Sequence, residues 1–379
     1  MVYKRDSEMI LQKLSLINFK NIPQLTFEFD RGINAMVGDN GAGKTNILDS
    51  IYYLSMCKSM FTLTDSQSVK HGTNFFVIDG LYLNDSERSD SVVCTFSKER
   101  THTKVLKRNA KEYDRLSDHL GMIPVVVVMP QDTVLITDSA EERRRLLNAS
   151  LSQMDRAYLQ ALIRYNSLLK ERNKALKISS NESMLAIYDE QMAVYASQIY
   201  EARRNLCEQL TPLVEEFYRL LSHEKESISI SYRSELDEFD FVTLMQNSRR
   251  RDIANEFTTS GVHRDDLVFS IEGYPLRKYG SQGQQKSFLV ALKLAHYIML
   301  CRTLNERPIL LLDDLFDKLD STRVERLMEI VSNEEFGQIF ISDCNRTRLE
   351  RILGDINVPF RLFEMEAGEV VNTKDYEAY

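Results

Sequence analysis

The octapeptide Gly38-Asp39-Asn40-Gly41-Ala42-Gly43-Lys44-Thr45 constrains the fold of this chain more than any other stretch. It matches the P-loop pattern, with an apolar run, Ile33 to Val37, before it and a helical stretch from about Asn46 after it. Glycines at these positions let backbone N–H groups close around phosphate oxygens at a helix N-terminus. Lys44 then supplies positive charge to β- and γ-phosphates, and Thr45 offers a hydroxyl to Mg²⁺. A glycine-rich turn alone would need neither the lysine nor the threonine. Gly38 to Thr45, with Asn46, are therefore the candidate ATP-binding residues, and strand, loop and helix in this order predict an α/β fold.

Kinases, GTPases, motors and transporters all use such a loop, so further elements must narrow the choice. Pro308 to Asp314 is a buried-strand run ending in two carboxylates. That arrangement suits a metal ligand, assigned to Asp313, and a residue that polarises an attacking water, assigned to Asp314. Around these motifs the first 130 or so residues read as strands: 14–19, 25–29, 33–37, 75–83, 92–96 and 125–129. From Glu141 the apolar spacing changes to three and four, through Leu147, Leu151, Tyr158, Leu162 and Leu169, and again from Tyr188 to Phe217. Two antiparallel helices are expected, each roughly 50 Å long at about 1.5 Å per residue. They form either a short projecting arm or a helical subdomain packed on the sheet. After Phe257 strand and helix alternate again. The expected organisation is a head over 1–132 and 257–379, split by a helical lobe over 133–256.

Composition removes other classes. Over 379 residues, 43% hydrophobic and 27% charged residues are the balance of a soluble globular protein. The longest purely apolar stretch, Val125 to Met129, is too short to span a bilayer, so no membrane partner is expected. Five dispersed cysteines form no Cys-x-x-Cys pair and suggest a reducing cytoplasm. A net charge of -8 means that any nucleic-acid contact must come from local basic patches.

The segment Tyr279-Gly280-Ser281-Gln282-Gly283-Gln284-Gln285-Lys286, followed by a helical stretch to Leu304, resembles the signature of ABC ATPases. The resemblance implies that Ser281, Gly283 and Gln284 contact ATP held by the P-loop of a second copy; read alone, the same string is a helix N-cap. A closer resemblance, from Met9 onward, is to the RecF family. It is carried by Leu14 to Asn21, the P-loop with Asn46, Pro130-Gln131-Asp132, Glu142 to Leu147, Tyr165-Asn166, Arg172-Asn173, Gly261 to Asp266, and the double glutamine of the signature. The resemblance implies an ABC-type head with an inserted helical lobe. It also implies a cytoplasmic, slowly hydrolysing, DNA-dependent ATPase that forms an ATP-dependent homodimer, binds double-stranded DNA near single-strand junctions without sequence specificity, and works with RecR in recombinational repair. By position, Gln131 matches a residue that sees Mg²⁺ and γ-phosphate. Asp320, in Phe316 to Asp320, matches an aspartate at the dimer seam.

Two departures from the wider ABC pattern stand out. Asp314 occupies the position of a glutamate, and Asp343-Cys344-Asn345 follows the strand 338–342 where a switch histidine is expected. Both fit slow hydrolysis. Candidate DNA contacts are Lys98, Arg100, Lys104, Lys107, Arg108 and Lys111, then Arg143, Arg144 and Arg145, then Arg249 to Arg251. The middle cluster opens a helix, where the dipole disfavours cations unless Glu141 and Glu142 or a bound anion offset it.

Overall fold

The computed structural model describes residues 7–62, 64–84, 87–99, 104–178, 181–222, 226–315 and 319–378. They fall into two compact units, Met1–Gln131 with His296–Tyr379, and Asp132–Ala295.

The first unit contains two six-stranded sheets. One is antiparallel and built from β1 (Ile10–Phe19), β2 (Ile22–Glu28), β4 (Phe75–Leu83), β5 (Ser89–Ser97), β6 (Lys104–Arg108) and β7 (Lys111–Glu112), in the order β2-β1-β4-β5-β6-β7. Alternating burial along β4 and β5 marks a sheet with one face on the core. The other sheet contains β3 (Ile33–Val37), β8 (Val125–Val128), β12 (Ile309–Asp313), β13 (Ile339–Asp343), β14 (Phe360–Glu366) and β15 (Glu369–Tyr376), in the order β15-β14-β3-β13-β12-β8. All neighbours here are parallel except the β14–β15 hairpin. Strands β3, β8, β12 and β13 are buried at every position, which is why they read as near-continuous apolar runs, interrupted by Asn34 in β3 and Ser342 in β13. Helix α1 (Lys44–Met56) leaves the P-loop, while α7 (Ser321–Val331) and α8 (Arg346–Ile356) complete the α/β pattern.

The second unit opens with α2 (Ala140–Met154) and α3 (Arg156–Ile178). The single helix expected from Glu141 is thus broken at Asp155, whose carboxylate accepts from the backbone N–H groups of Ala157 and Tyr158 at 2.7 and 3.1 Å and restarts the helix. Helix α4 (Glu182–Ser222) runs 41 residues, with Pro212 inside it, and packs on α3. The chain then forms β9 (Ile228–Arg233), α5 (Phe241–Asn255), β10 (Asp266–Ile271), β11 (Tyr274–Pro275) and α6 (Gln282–Leu304). Here the expected domain boundary is corrected. Residues from 257 to 295 belong with the lobe rather than the head, because β10 pairs antiparallel with β9 over six residues.

A buried ion-pair network ties the helices of this unit together. Arg172 of α3, fully buried, donates to Asp189 of α4 at 2.7 Å and to Asp252 of α5 at 2.8 Å. Helix α6 is long and apolar enough to cross a membrane, but 83% of its most apolar window is buried in the fold, the mark of a core helix.

Candidate nucleotide site

The site lies where the parallel sheet brings three strand ends together. β13 sits between β3 and β12, so the P-loop after β3, Ser342 on β13 and Asp313 at the end of β12 converge. Thr45 Oγ1 donates to Asp313 Oδ1 at 2.9 Å, and Ser342 Oγ donates to the same oxygen at 2.6 Å. Burial raises the Asp313 pKa above the usual carboxylate value, against the hydrogen bonds from Ser342 and Thr45, and the neighbouring Asp314 raises it further. Two hard oxygen donors on a buried carboxylate and a threonine are the chemistry Mg²⁺ takes.

Asp314 is held in a left-handed conformation, φ +47°, with its N–H on Ser342. Its Oδ1 is buried and has no hydrogen-bond partner among the described residues. A carboxylate oxygen left so costs free energy unless a ligand or water proton meets it, so the donor set fits a hydrated metal–nucleotide site. At the position of the missing switch histidine, Asp343 is fully buried and gripped by Arg348 at 2.8 and 2.9 Å. Ligand atoms of Asp314, Asp343 and Cys344 lie within 4.8 Å of one another.

The loop itself is braced from both sides. Gly38 adopts φ +156° and approaches the Met365 carbonyl so closely that no β-carbon would fit. Gly43, at φ +106°, precedes α1, and Gly368 N–H donates to Ala42 O at 2.9 Å. Asn21 donates to Gly41 O at 3.3 Å and accepts from Asn46 Nδ2 at 2.7 Å. Lys44 Nζ rests on the carbonyls of Gly38 and Asp39 at 2.5 and 2.9 Å. Asp39 and Asn40 lie in the loop between Gly38 and Gly41 and are both exposed.

A family model described as an AAA domain matches residues 13–320. The "DNA replication and repair protein RecF" of Phocaeicola vulgatus is 42% identical over 97% of this chain and 99% of its own length, and that of Flavobacterium johnsoniae is 43% identical over 94% and 100%. The chain belongs to the RecF family. A solved structure described as the recombination mediator protein RecF-ATP superposes with a TM-score of 0.87 at 28% identity, covering 99% of this chain and 100% of that one. An Smc head domain from Pyrococcus furiosus superposes at 0.56 with 16% identity, which shows a shared fold only.

The other RecF-type positions fall as follows. Gln131 lies in a 3₁₀ turn (Pro130–Thr133) after β8, the strand beside β12, and is exposed. Ser281 and Gln284 form a reciprocal cap on α6. Ser281 Oγ accepts from Gln284 N–H at 3.2 Å, and Gln284 Oε1 accepts from Ser281 N–H at 2.6 Å. Glu226, which no sequence signal marks, accepts from Gln284 Nε2 at 2.5 Å. Gly283 sits in the first turn of α6. Asp320 is the N-cap of α7, accepting from Arg323 N–H at 3.0 Å; Phe316 to Lys318 lie outside the described residues.

Several members of the basic clusters are held by neighbouring acids or carbonyls, while Lys98, Lys107, Lys111, Arg145, Arg250 and Arg251 are exposed. Lys104 Nζ bonds Cys57 O and Asp65, each at 2.8 Å, and Arg108 pairs with Asp90 at 2.5 Å; Lys107 is exposed, and Arg100 lies outside the described residues. Arg143 forms a two-pronged pair with Asp266 at 2.6 and 3.1 Å, Arg144 donates to Asp265 O at 2.7 Å, and Arg145 meets Glu141 and Glu142, both at 2.6 Å. The misfit of cations at a helix N-terminus is thus met by neighbouring acids.

Proposed function

We propose that this chain binds Mg²⁺-ATP at Gly38 to Asn46 and pairs with a second copy through Ser281, Gly283 and Gln284. In this reading it hydrolyses ATP slowly and acts as a DNA-dependent switch in recombinational repair, binding duplex DNA at gap junctions and, with RecR, assisting recombinase loading in the cytoplasm. The observation that carries it is the 2.9 Å contact between Thr45 and Asp313 beside an Asp314 oxygen that is buried without a partner among the described residues.

Phosphate oxygens take Lys44 from its two loop carbonyls, and the P-loop N–H groups surround them. Thr45 and Asp313, joined in the expected set by Gln131, would hold Mg²⁺, which would supply positive charge to the phosphates. Asp314 accepts a proton of the attacking water. Its carboxylate is one methylene shorter than glutamate and reaches less far, which supports slow turnover. Capping and phosphate contact do not compete at Ser281. Its oxygen accepts from Gln284 while its O–H stays available to donate across a dimer.

Three preparations test the reading: the unaltered protein, Lys44→Met and Ser281→Arg, compared for ATP binding, size with ATP, and turnover against protein concentration. Lys44→Met should lose ATP binding, whereas Ser281→Arg should bind ATP yet stay monomeric and inactive. Normal turnover by Ser281→Arg, or a rate per molecule independent of concentration, would overturn the shared site.

A further inference from the structure

The second unit contains an open cleft of about 520 Å³ assembled from pieces of chain that the sequence keeps apart. Arg233 ends β9, Arg251 lies in the last turns of α5, and Arg264 precedes β10; all three line it. The acids in its wall are largely committed. Asp266 is gripped by Arg143, and Asp265, 3% exposed, pairs with buried Arg203 at 3.0 Å and accepts from Tyr232. Glu235 remains, accepting from Ser260 Oγ and Gly261 N–H, both at 3.2 Å. Three guanidinium groups therefore face one carboxylate.

Those three have only neutral partners among the described residues. Arg251 donates to the hydroxyls of Thr259 and Ser260 at 2.8 and 2.6 Å. Arg264 lies 5.3 Å over the Phe257 ring and reaches Thr258 O at 3.5 Å. Arg233 makes no side-chain hydrogen bond or ion pair among the described residues. Guanidinium forks match the oxygens of a phosphate, and an exposed ring carrying a stacked guanidinium offers a flat face to a base. Phe257 is 40% exposed beside them. On a chain of net charge -8, such a local excess of positive charge is what a polyanion would find.

We propose that this cleft binds a backbone phosphate of a nucleic-acid strand, with Phe257 and Arg264 against the adjoining base. The assignment rests on the DNA-binding reading above and gives that reading a location to which, of the linear basic clusters, only Arg251 contributes. Arg233 and Arg264 would grip the phosphate, while Arg251, fixed by two hydroxyls, would set its position.

The test uses the full chain with ATP and a fluorescent gapped duplex, titrated at several salt concentrations. The double variant Arg233→Ala/Arg264→Ala should lose affinity by at least roughly tenfold. Its slope of log K against log salt should flatten by about 0.9 for each phosphate contact removed. Phe257→Ala should weaken single-strand binding while leaving the slope alone. Thermal unfolding and ATP binding report that each variant is folded; should the double variant fail them, Arg233→Lys takes its place, keeping the slope but losing affinity through its missing fork. Unchanged affinity and slope in a folded variant would overturn the assignment. So would loss of binding to a polyglutamate peptide with DNA binding intact, which would make the cleft a protein site. Protection of the cleft by inorganic phosphate without any change in DNA affinity would leave only a free-anion site and equally overturn it. Failure of the unaltered protein to bind DNA at low salt would instead remove the parent reading, so the two failures are distinguishable.

Discussion

Replacing Gly38 by alanine should damage the P-loop in a way whose size can be worked out from contacts. A β-carbon there would fall under 3.0 Å from the Met365 carbonyl oxygen, and would lie 3.2 Å from the carbonyl carbon and 3.3 Å from Ala42 Cβ. The first contact is backbone on a central parallel strand, so it cannot swing aside as a side chain would. Forced overpacking costs about 1–3 kcal/mol. The strained backbone adds about 1–3 kcal/mol for a residue with a β-carbon. At about 2–4 °C per kcal/mol, the melting temperature should drop by roughly 4–24 °C, and ATP affinity should fall with it because the loop and β14 must separate.

Two companions separate the causes. Gly41, at φ +88°, has nothing within 4 Å of the place a β-carbon would take, so Gly41→Ala suffers the strain without the clash and should lose about half as much. Gly354 lies inside α8 with open space around it and ordinary φ, so Gly354→Ala should stabilise by about 0.5–1 kcal/mol through helix propensity. Thermal unfolding followed by circular dichroism, with a fluorescent ATP analogue for binding, reads all three. If Gly38→Ala melted and bound ATP like Gly41→Ala, the close approach of β14 to the loop would be refuted.

The remaining predictions concern buried charge. His119 and His263 each place Nε2 on a carbonyl (Leu54 O at 2.7 Å, Thr258 O at 3.1 Å) and Nδ1 on a tyrosine hydroxyl, partners that the neutral ring satisfies with Nε2–H donating and Nδ1 accepting. Burial lowers both pKa values to about 4. Their folded values lie below the unfolded one, so their stabilisation is complete above about pH 6.5 and drains as pH falls towards 4, by roughly 3 kcal/mol each. Asp265, pushed up to about 6 by burial, works the other way and gains stability from pH 6 down towards 4. Denaturant melts between pH 7.5 and 4.5 should therefore show a net loss on acidification that His119→Gln reduces; a flat profile would contradict the two rings' geometry. Arg172→Met should destabilise the second unit by about 3–5 kcal/mol, since Asp189 keeps Arg249 at 2.5 Å but Asp252 loses its only ion-pair partner among the described residues. Equal stability of Arg172→Met and unaltered protein in urea would refute that role.

Strands β3, β8, β12 and β13 are legible in the sequence because burial on both faces leaves a near-continuous apolar run, and the P-loop because its chemistry demands glycines, a lysine and a hydroxyl at fixed spacing. Helix α5 is not, since its buried apolar residues, Phe241, Leu244 and Met245, lie in its first turns, and Ser248 and Asp252 occupy the buried face beyond them. The hairpin β14–β15 escapes detection because β15 is exposed at nearly every position and carries no alternation. The boundary expected at 257 moves for a different reason. Pairing of β9 with β10 joins residues separated by a helix and a loop, and no local pattern encodes that register. In the same way Arg172, Asn173, Tyr165 and His263 stand out in the sequence without a role. Asn173 accepts from Thr258 N–H and hydroxyl at 2.8 and 2.7 Å, and Tyr165 meets His263 at 2.8 Å, so these are ties within the lobe.

Local rules are broken most densely at the nucleotide site, and that concentration bears on mechanism. Asp314 combines a left-handed backbone in a residue that is not glycine with a buried oxygen that has no partner among the described residues, and Gly38 is pressed against a carbonyl. The unsatisfied Asp314 oxygen costs free energy in the isolated fold and recovers part of it only when a ligand or water supplies the missing donor. The buried pair Asp343–Arg348 and the hydrogen bonds from Ser342 and Thr45 hold this frame in place without a nucleotide. Under the proposed function, a site organised in advance around a short carboxylate would favour binding over fast turnover, and Ser281, already fixed by its cap on α6, would add its hydroxyl from a second copy without rearrangement.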